Sequence, residues 1–308
     1  MLDLTFLTEE QIFGNSKLEI LKKYGTRCAI TDFSILLGGF VSSDYYTSEG
    51  NTLKNRTGWW WTKTSYGDDV RVVLCDGDRT CYDVDIRHGG ARPALPYSSI
   101  SKISSNVVAS KTEIKEILYG EYPQWVVDEN YSHELEKSYS NGCLKTTEKN
   151  YTTDSVKYHY TNTNFRARFH TEYEYNGRKY IRIIGDCNGN GKELSDGREV
   201  ESGKPYWIRV EPITWLVDER ANIVFSKYIL FSGVQFKNRR DYKGDFENAD
   251  IKLFMDKYFT EEIIVGANAL NIRGNIKTDS TDNIDDIFNE AISRMNEINS
   301  KAKTKILK

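Results

Sequence analysis

A chain of 308 residues, 39% hydrophobic and 28% charged, has room for one large or two ordinary domains around a real core. No run reaches the about 18 apolar residues that a membrane span needs, and Met1 to Phe6 lacks the basic start and apolar stretch of a signal peptide, so a soluble chain, cytoplasmic or carried on a virion, is expected. A net charge of -3 with no basic block gives no electrostatic footprint for nucleic acid.

Residues 4 to 13 predict a short apolar strand followed by a helix start, because Thr8 and Gln11 stand at capping-box spacing. Leu18, Ile20, Leu21 and Tyr24 form the buried stripe of a second helical piece ending at Gly25. Thr31 to Gly39 reads as a capped apolar turn of helix stopped by glycine. At strand periodicity Trp59 and Trp61 face one way and Trp60 the other, so both faces of that strand need cover. Further on, Gly89-Gly90 allows a tight reversal, and Arg92-Pro93-Ala94-Leu95 is an extended segment with Pro93 at a strand start or edge.

Between these two framework pieces the composition changes. Ser65 to Gly90 holds no Lys, Glu, Gln, Met or Trp, the residue types that a codon ending in a pyrimidine cannot specify. A polar loop depleted by chance explains this blandly; codons randomised at their first two positions explain it more sharply. In Tyr82-Asp83-Val84-Asp85-Ile86, alternation turns Val84 and Ile86 inward. The candidate contact residues are then Tyr66, Asp68, Asp69, Arg71, Asp76, Asp78, Arg79, Tyr82, Asp83, Asp85, Arg87 and His88. Tyr and Arg are expected to supply most of the binding free energy, with the aspartates steering toward a basic partner.

Tyr97 to Ser110, rich in small residues and without a clear period, is a candidate connection, and Ile117 to Gln124 a strand. Ser132 to Asn141 predicts a helix with Leu135 and Tyr139 inward, closed by Gly142. Residues 146 to 170 suit an exposed polar insertion. Glu172 to Ile184 is a hairpin turning at Asn176-Gly177, where positive φ angles are needed. Pro205 to Val217 and Ile223 to Phe231 continue as strands, and Asp250 to Phe259 is an amphipathic helix with Ile251, Phe254, Met255 and Tyr258 on one side. After a polar joint, Ile284, Ile287, Phe288, Ala291, Ile292, Met295 and Ile298 give a C-terminal amphipathic helix, which either docks on its own chain or makes a homo-oligomer.

The cysteines, Cys28, Cys75, Cys81, Cys143 and Cys187, are odd in number and lack CxxC spacing, which indicates reduced thiols and neither a disulfide framework nor a zinc site. Asp186 to Gly197 opens like a calcium loop, but Gly197 stands where a bidentate Glu belongs, so a glycine-rich turn is the better reading. His88, His133, His159 and His170 have no ligand spacing, and no phosphate loop, nucleophile elbow or dinucleotide fingerprint occurs. No cofactor or metal is expected.

Trp59-Trp60-Trp61 followed by Gly89-Gly90-Ala91-Arg92-Pro93-Ala94-Leu95 resembles the end of a C-type-lectin-like domain of the formylglycine-generating-enzyme type, with its "WWLRSP … GVRPAL" pattern in bacterial and phage proteins. Thr62-Lys63-Thr64 departs from the Leu-Arg-Ser-Pro of that pattern, so position carries over and the role of its Arg does not. Phe6-Leu7-Thr8-Glu9-Glu10-Gln11 and Thr31-Asp32-Phe33 resemble the second half of such a domain, while Ile117 to Gln124 and the strands after it resemble its first half. The halves stand in reversed order. Because the first and last strands of that fold pair side by side, the resemblance implies an α+β, circularly permuted lectin-like domain; two incomplete domains are the alternative. Residues 1 to 110 then carry second-half motifs with the variable region, 111 to 265 first-half motifs, and 266 to 308 the linker and helix.

The group includes variable proteins of diversity-generating retroelements, which implies a non-enzymatic binding protein whose hypervariable surface takes a protein or other surface ligand. A structural protein assembled through the C-terminal helix is the alternative. The enzyme of the same architecture uses paired cysteines to hold copper; here the close pair, Cys75 and Cys81, lies inside the stretch that looks randomised, which argues against that activity.

Overall fold

The Thr8 hydroxyl accepts from the Gln11 amide at 3.1 Å while Gln11 reaches back to the Thr8 amide at 2.8 Å, and this capping box opens helix α1 (Glu9–Phe13). The computed structural model describes residues 3–42, 56–100, 107–108, 115–154 and 167–263, which form mostly antiparallel sheets with a few short helices. Helix α2 (Glu19–Tyr24) buries Ile20 and Leu21 and stops at Gly25, whose φ of 86° favours glycine. Strand β1 (Cys28–Ala29) leads into α3 (Asp32–Leu36), capped by Thr31 and ended by Gly38 at φ 92°.

After β2 (Thr57–Gly58) come three strands in a meander, β3 (Trp60–Tyr66), β4 (Asp69–Val73) and β5 (Arg79–Asp83), then β6 (Ala94–Pro96) and α4 (Tyr97–Ile100). Strands β7 (Val107–Val108) and β8 (Glu116–Val126) precede helix α5 (Glu129–Ser140). The rest of the main sheet is β9 (Lys145–Asp154), β10 (Ala167–Tyr175), β11 (Arg178–Ile184), β12 (Pro205–Asp218) and β13 (Ile223–Ser226), followed by α6 (Asp250–Phe254), which continues as one π turn over Met255–Phe259.

Strand β12 is the spine. Its first half pairs with β11 and its end with β13 along one edge, while β8 runs along the other. The order β6-β13-β12 then separates β6 from β8, so these two candidates for first and last strand do not lie side by side as expected. Strand β8 pairs with β12 directly, whereas β6 reaches it only through β13. The main hydrophobic cluster nevertheless extends from Leu4 to Ile263 and draws on both halves of the chain, while a smaller one of Val127, Leu135, Tyr180 and Trp207 lies within the second half.

Residues 146 to 170 differ from expectation. Among the described ones, 146–154 and 167–170, strands β9 and β10 extend the main sheet, and Tyr151, Thr152, Thr153 and His170 are buried; 155–166 lie outside the described residues. The alternation of Thr and Tyr was strand periodicity with polar groups facing inward, satisfied by partners far away in sequence. Thr152 donates its amide to Glu262 at 2.7 Å, and Thr153 Oγ1 lies 2.9 Å from His170 Nε2. The hairpin β10–β11 turns at Asn176 (φ 50°) and Gly177 (φ 72°), as its sequence requires.

Helix α5 starts earlier than expected, at Glu129, because Asp128 caps it. Leu135 is buried against Val127, Tyr180 and Trp207, whereas Tyr139 is partly exposed, edge-on to Tyr173 and Trp207. The loop after β11 closes as a turn with a bridge between Glu193 and Glu199. It is tied to the core by Asp32, whose buried carboxylate accepts from the amides of Ser195 (2.8 Å) and Val126 (3.0 Å), from the Ser195 hydroxyl and from Arg56. All five cysteines are free thiols. No helix among the described residues is long and apolar enough to cross a membrane. His159 and the expected C-terminal helix of residues 283–298 lie outside the described residues.

Candidate binding surface

The meander rests on a lock between the tryptophans and the glycines. Trp61 donates its amide to the Gly90 carbonyl and Gly90 donates to Trp59, each at 3.0 Å. The glycines are required here for contact and not, as expected, for a reversal: a Cβ on Gly89 would lie 2.3 Å from Trp61 Nε1, and one on Gly90 2.5 Å from Ile229 Cγ2. Trp59 and Trp61 meet edge-to-face at 4.8 Å on one side of the strand. On the other, Trp60 faces the Arg92 guanidinium at 4.9 Å, which also lies 4.7 Å from the Phe225 ring. All three indoles are buried, so this strand has the cover on both faces that its sequence demands.

Register divides the candidate residues between two faces. Tyr66, Asp69 and Asp83 are cross-strand partners, and Arg71 stands opposite Cys81 on the same side, which Arg79 shares. The opposite side carries Val70, Val72, Thr80 and Tyr82, with Val70 and Val72 fully buried. Val84 is also fully buried and Ile86 packs against the core, as the alternation predicts.

None of the twelve candidates is buried, yet they do not make one continuous patch. Tyr66, Asp68, Asp76, Asp78, Arg79, Asp85 and His88 are exposed; Asp69, Arg71, Tyr82, Asp83 and Arg87 are half-buried. All three arginines are already engaged. Glu9 of α1 takes a hydrogen bond from Arg79 at 2.8 Å and lies 3.3 Å from Arg71 Nε, an ion pair without hydrogen-bond alignment. Arg71 also covers the Tyr66 ring at 3.7 Å. Tyr82 sits edge-on to Trp59 at 4.8 Å, which makes it part anchor, and His88 approaches the same indole at 5.5 Å.

At the β4–β5 turn, the Asp76 side chain accepts the Asp78 amide at 3.0 Å, while Arg27 and Thr26 hold the carbonyls of Asp76 and Gly77. Arg87 reaches Gln235 at 3.4 Å. Partial burial and then the facing Asp83 raise the Asp69 carboxyl above the usual carboxylate range, with Arg239, which lies 3.6 Å from Asp83, opposing. Asp68, Asp76, Asp78 and Asp85 make no ion pair among the described residues, so the rim carries negative charge that its own neighbours leave open.

The residues missed by sequence reasoning are those that hold the meander: Glu9, Arg27, Gln235 and Arg239, with Ser65 donating to the Gly244 carbonyl at 2.7 Å. Glu9 had a legible role as a first-turn helix residue, and nothing local marks its second role toward β4 and β5. Among the described residues, no group of three or more His, Cys, Asp or Glu could hold a metal ion. Cys75 and Cys81 belong to the meander itself, one at the turn and one on β5.

No protein-family model, curated protein or solved structure matches the chain.

Proposed function

We propose that this chain is a non-enzymatic binding protein that displays the side chains of Tyr66 to His88 to a protein or other surface ligand. One observation carries the reading: across the window, display positions stay at the surface while Val70, Val72 and Val84 beneath them are fully buried. Side chains at such positions change without disturbing the backbone, because the indole–glycine lock and the valines fix it. The open carboxylates of Asp68, Asp76, Asp78 and Asp85 favour a basic partner and would speed its approach. Arg71 and Arg79, engaged with Glu9, serve as framework more than as contacts.

We read the frame as C-type-lectin-like, with its halves in exchanged order, and the window as the diversified product of a retroelement cassette. The support is the Trp59-to-Leu95 pattern, the main core to which both halves contribute, and the residue types missing from the window. The cysteines of the window are read as products of variation, not as a copper-holding pair.

Two experiments test this. Sequencing the gene's surroundings should find a near-copy of the window's codons, differing mainly at adenines, beside a reverse transcriptase; scattered ordinary substitutions in sister isolates would remove the diversification claim. Separately, surfaces bearing clustered Lys and Arg should retain the wild-type chain and lose it when Asp68, Asp76, Asp78 and Asp85 become Asn. Equal retention of both would remove the claim that the rim selects a basic partner.

A further inference from the structure

Strand β5 ends the meander. Its inner edge pairs with β4 from Arg79 to Asp83, and among the described residues nothing pairs with its outer edge. An open edge presents a row of backbone donors and acceptors to any extended strand that fits beside it. What fits is set by the side chains, and the five residues Arg79-Thr80-Cys81-Tyr82-Asp83 are complementary to their own reverse. Laid antiparallel to a second copy and centred on Cys81, the strand sets Arg79 opposite the other copy's Asp83, Thr80 opposite its Tyr82, and Cys81 opposite its Cys81.

Both charge pairs of that arrangement are of opposite sign, and the like-charge alignment occurs only in the parallel direction. The charges are accessible: the side chains of Arg79 and Asp83 are 57% and 47% exposed. Their existing partners, Glu9 and Arg239, approach from the chain's own elements and leave half of each side chain to solvent. Cys81 is a free, half-buried thiol on the same side of the strand as both.

We propose that two copies of this chain associate through their β5 edges, joining the two meanders into one antiparallel sheet of order β3-β4-β5-β5-β4-β3 about a two-fold axis. Such an interface is isologous, so it closes at the dimer and propagates no further. The contact spans only about 17 Å of strand, which makes a reversible association and not an obligate one. It also sets two display surfaces side by side, so that a ligand with repeated epitopes is held by both. This goes beyond the binding reading and fails separately from it, because Asp68, Asp76, Asp78 and Asp85 lie outside the pairing.

The test uses the full chain. Facing residues of an antiparallel pair have Cα atoms about 4.5–5.5 Å apart, inside the range a disulfide bridges, so diamide should oxidise the two Cys81 thiols to an intermolecular disulfide, taking up their two electrons and two protons. The expected result is a covalent dimer lost in C81S and kept in C75S, C143S and C187S. Sedimentation across a concentration series should show a monomer–dimer equilibrium weakened at least 10-fold by R79D or by D83R and restored by R79D/D83R, with melting temperature followed to separate misfolding from dissociation. A chain that stays monomeric at every concentration overturns the proposal. So does a dimer whose cross-link survives C81S, which would place the contact elsewhere, residues 283–298 included. A monomer that binds only a foreign extended peptide at β5 overturns it as well.

Discussion

Gly90 and Trp59 are joined by a 3.0 Å backbone hydrogen bond, and the space a Gly90 side chain would need is already filled by the Trp59 carbonyl and Ile229. Position 90 is therefore fixed by backbone contact that no rotamer change relieves. Gly90→Ala should cost about 1–3 kcal/mol in urea unfolding, as overpacking of a filled core does. Gly67→Ala, at φ 61° in the β3–β4 turn with nothing within 4 Å of its added Cβ, carries backbone strain alone and should cost about 1 kcal/mol. Equal costs at the two positions would mean that the lock does not hold the meander.

Tyr82 and Tyr66 should separate in the same assay. Tyr66 is 55% exposed, and Tyr66→Ala should change stability by no more than about 0.5 kcal/mol. Tyr82 touches Trp59 edge-on, and Tyr82→Ala should cost about 1–2 kcal/mol through lost ring contact. Alanine at Asp68, Asp78 and Asp85 should behave like Tyr66. Tyr66 and Tyr82, both expected as contact residues, are thus divided by which face of the sheet each occupies.

Much of the local structure was legible because it is decided within a few residues. Thr8 and Gln11, Thr31 and Gly38, and Asn176-Gly177 each satisfy a backbone requirement of their own turn. The alternation that buries Val84 was equally local. What could not be read depends on partners far away: Tyr151 and His170 looked like solvated residues because their cover comes from other elements, Tyr122 and Glu262 lying near the first, Phe33 beside the second. The pairing of Glu9 with Arg71 and Arg79, and of Arg239 with Asp83, leaves no periodic trace. The twelve window residues are exposed or half-buried, while the division of those on the strands between two faces of the meander was not visible in the sequence.

Glu262 makes stability depend on pH in one direction. Its Oε1 accepts the Thr152 amide, and its buried Oε2 has no hydrogen-bond partner in the company of Lys149, whose ammonium covers the Tyr151 ring at 4.6 Å. Burial raises its carboxyl from the ordinary 4.5 to about 7, against the hydrogen bonds of Thr152 and the charge of Lys149. A carboxyl raised in the folded state binds its proton more tightly there, so its contribution is fully present below pH about 4.5 and lost as pH rises through about 7. Glu262→Gln keeps the neutral shape and should raise stability at pH 8 by on the order of 1–3 kcal/mol, with little change at pH 4.5. Unfolding free energies at the two pH values check this, and a gain of the same size at both would assign the effect to packing.

His170 works in the opposite direction at acid pH. Its Nε2 lies 2.9 Å from Thr153 Oγ1, and its ring meets Phe33 edge-on at 6.4 Å. Burial holds it down from 6.5 to about 4; a backbone hydrogen bond with Arg182 opposes that, and the charge of Arg168 adds to it. The folded state therefore resists charging this imidazole. Its contribution is present above pH about 6.5 and lost as pH falls through about 4. His170→Gln retains a hydrogen-bonding group toward Thr153 without a titrating one, and should flatten the fall in stability between pH 6.5 and 4. Because Glu262 gains stability over much of the same interval, the wild type should show the difference of two opposed slopes. In Glu262→Gln the acid-side fall should steepen, in His170→Gln it should vanish or reverse, and in the double variant both contributions should disappear together. Slopes that do not change in these directions would mean that His170 and Glu262 do not control the acid limb.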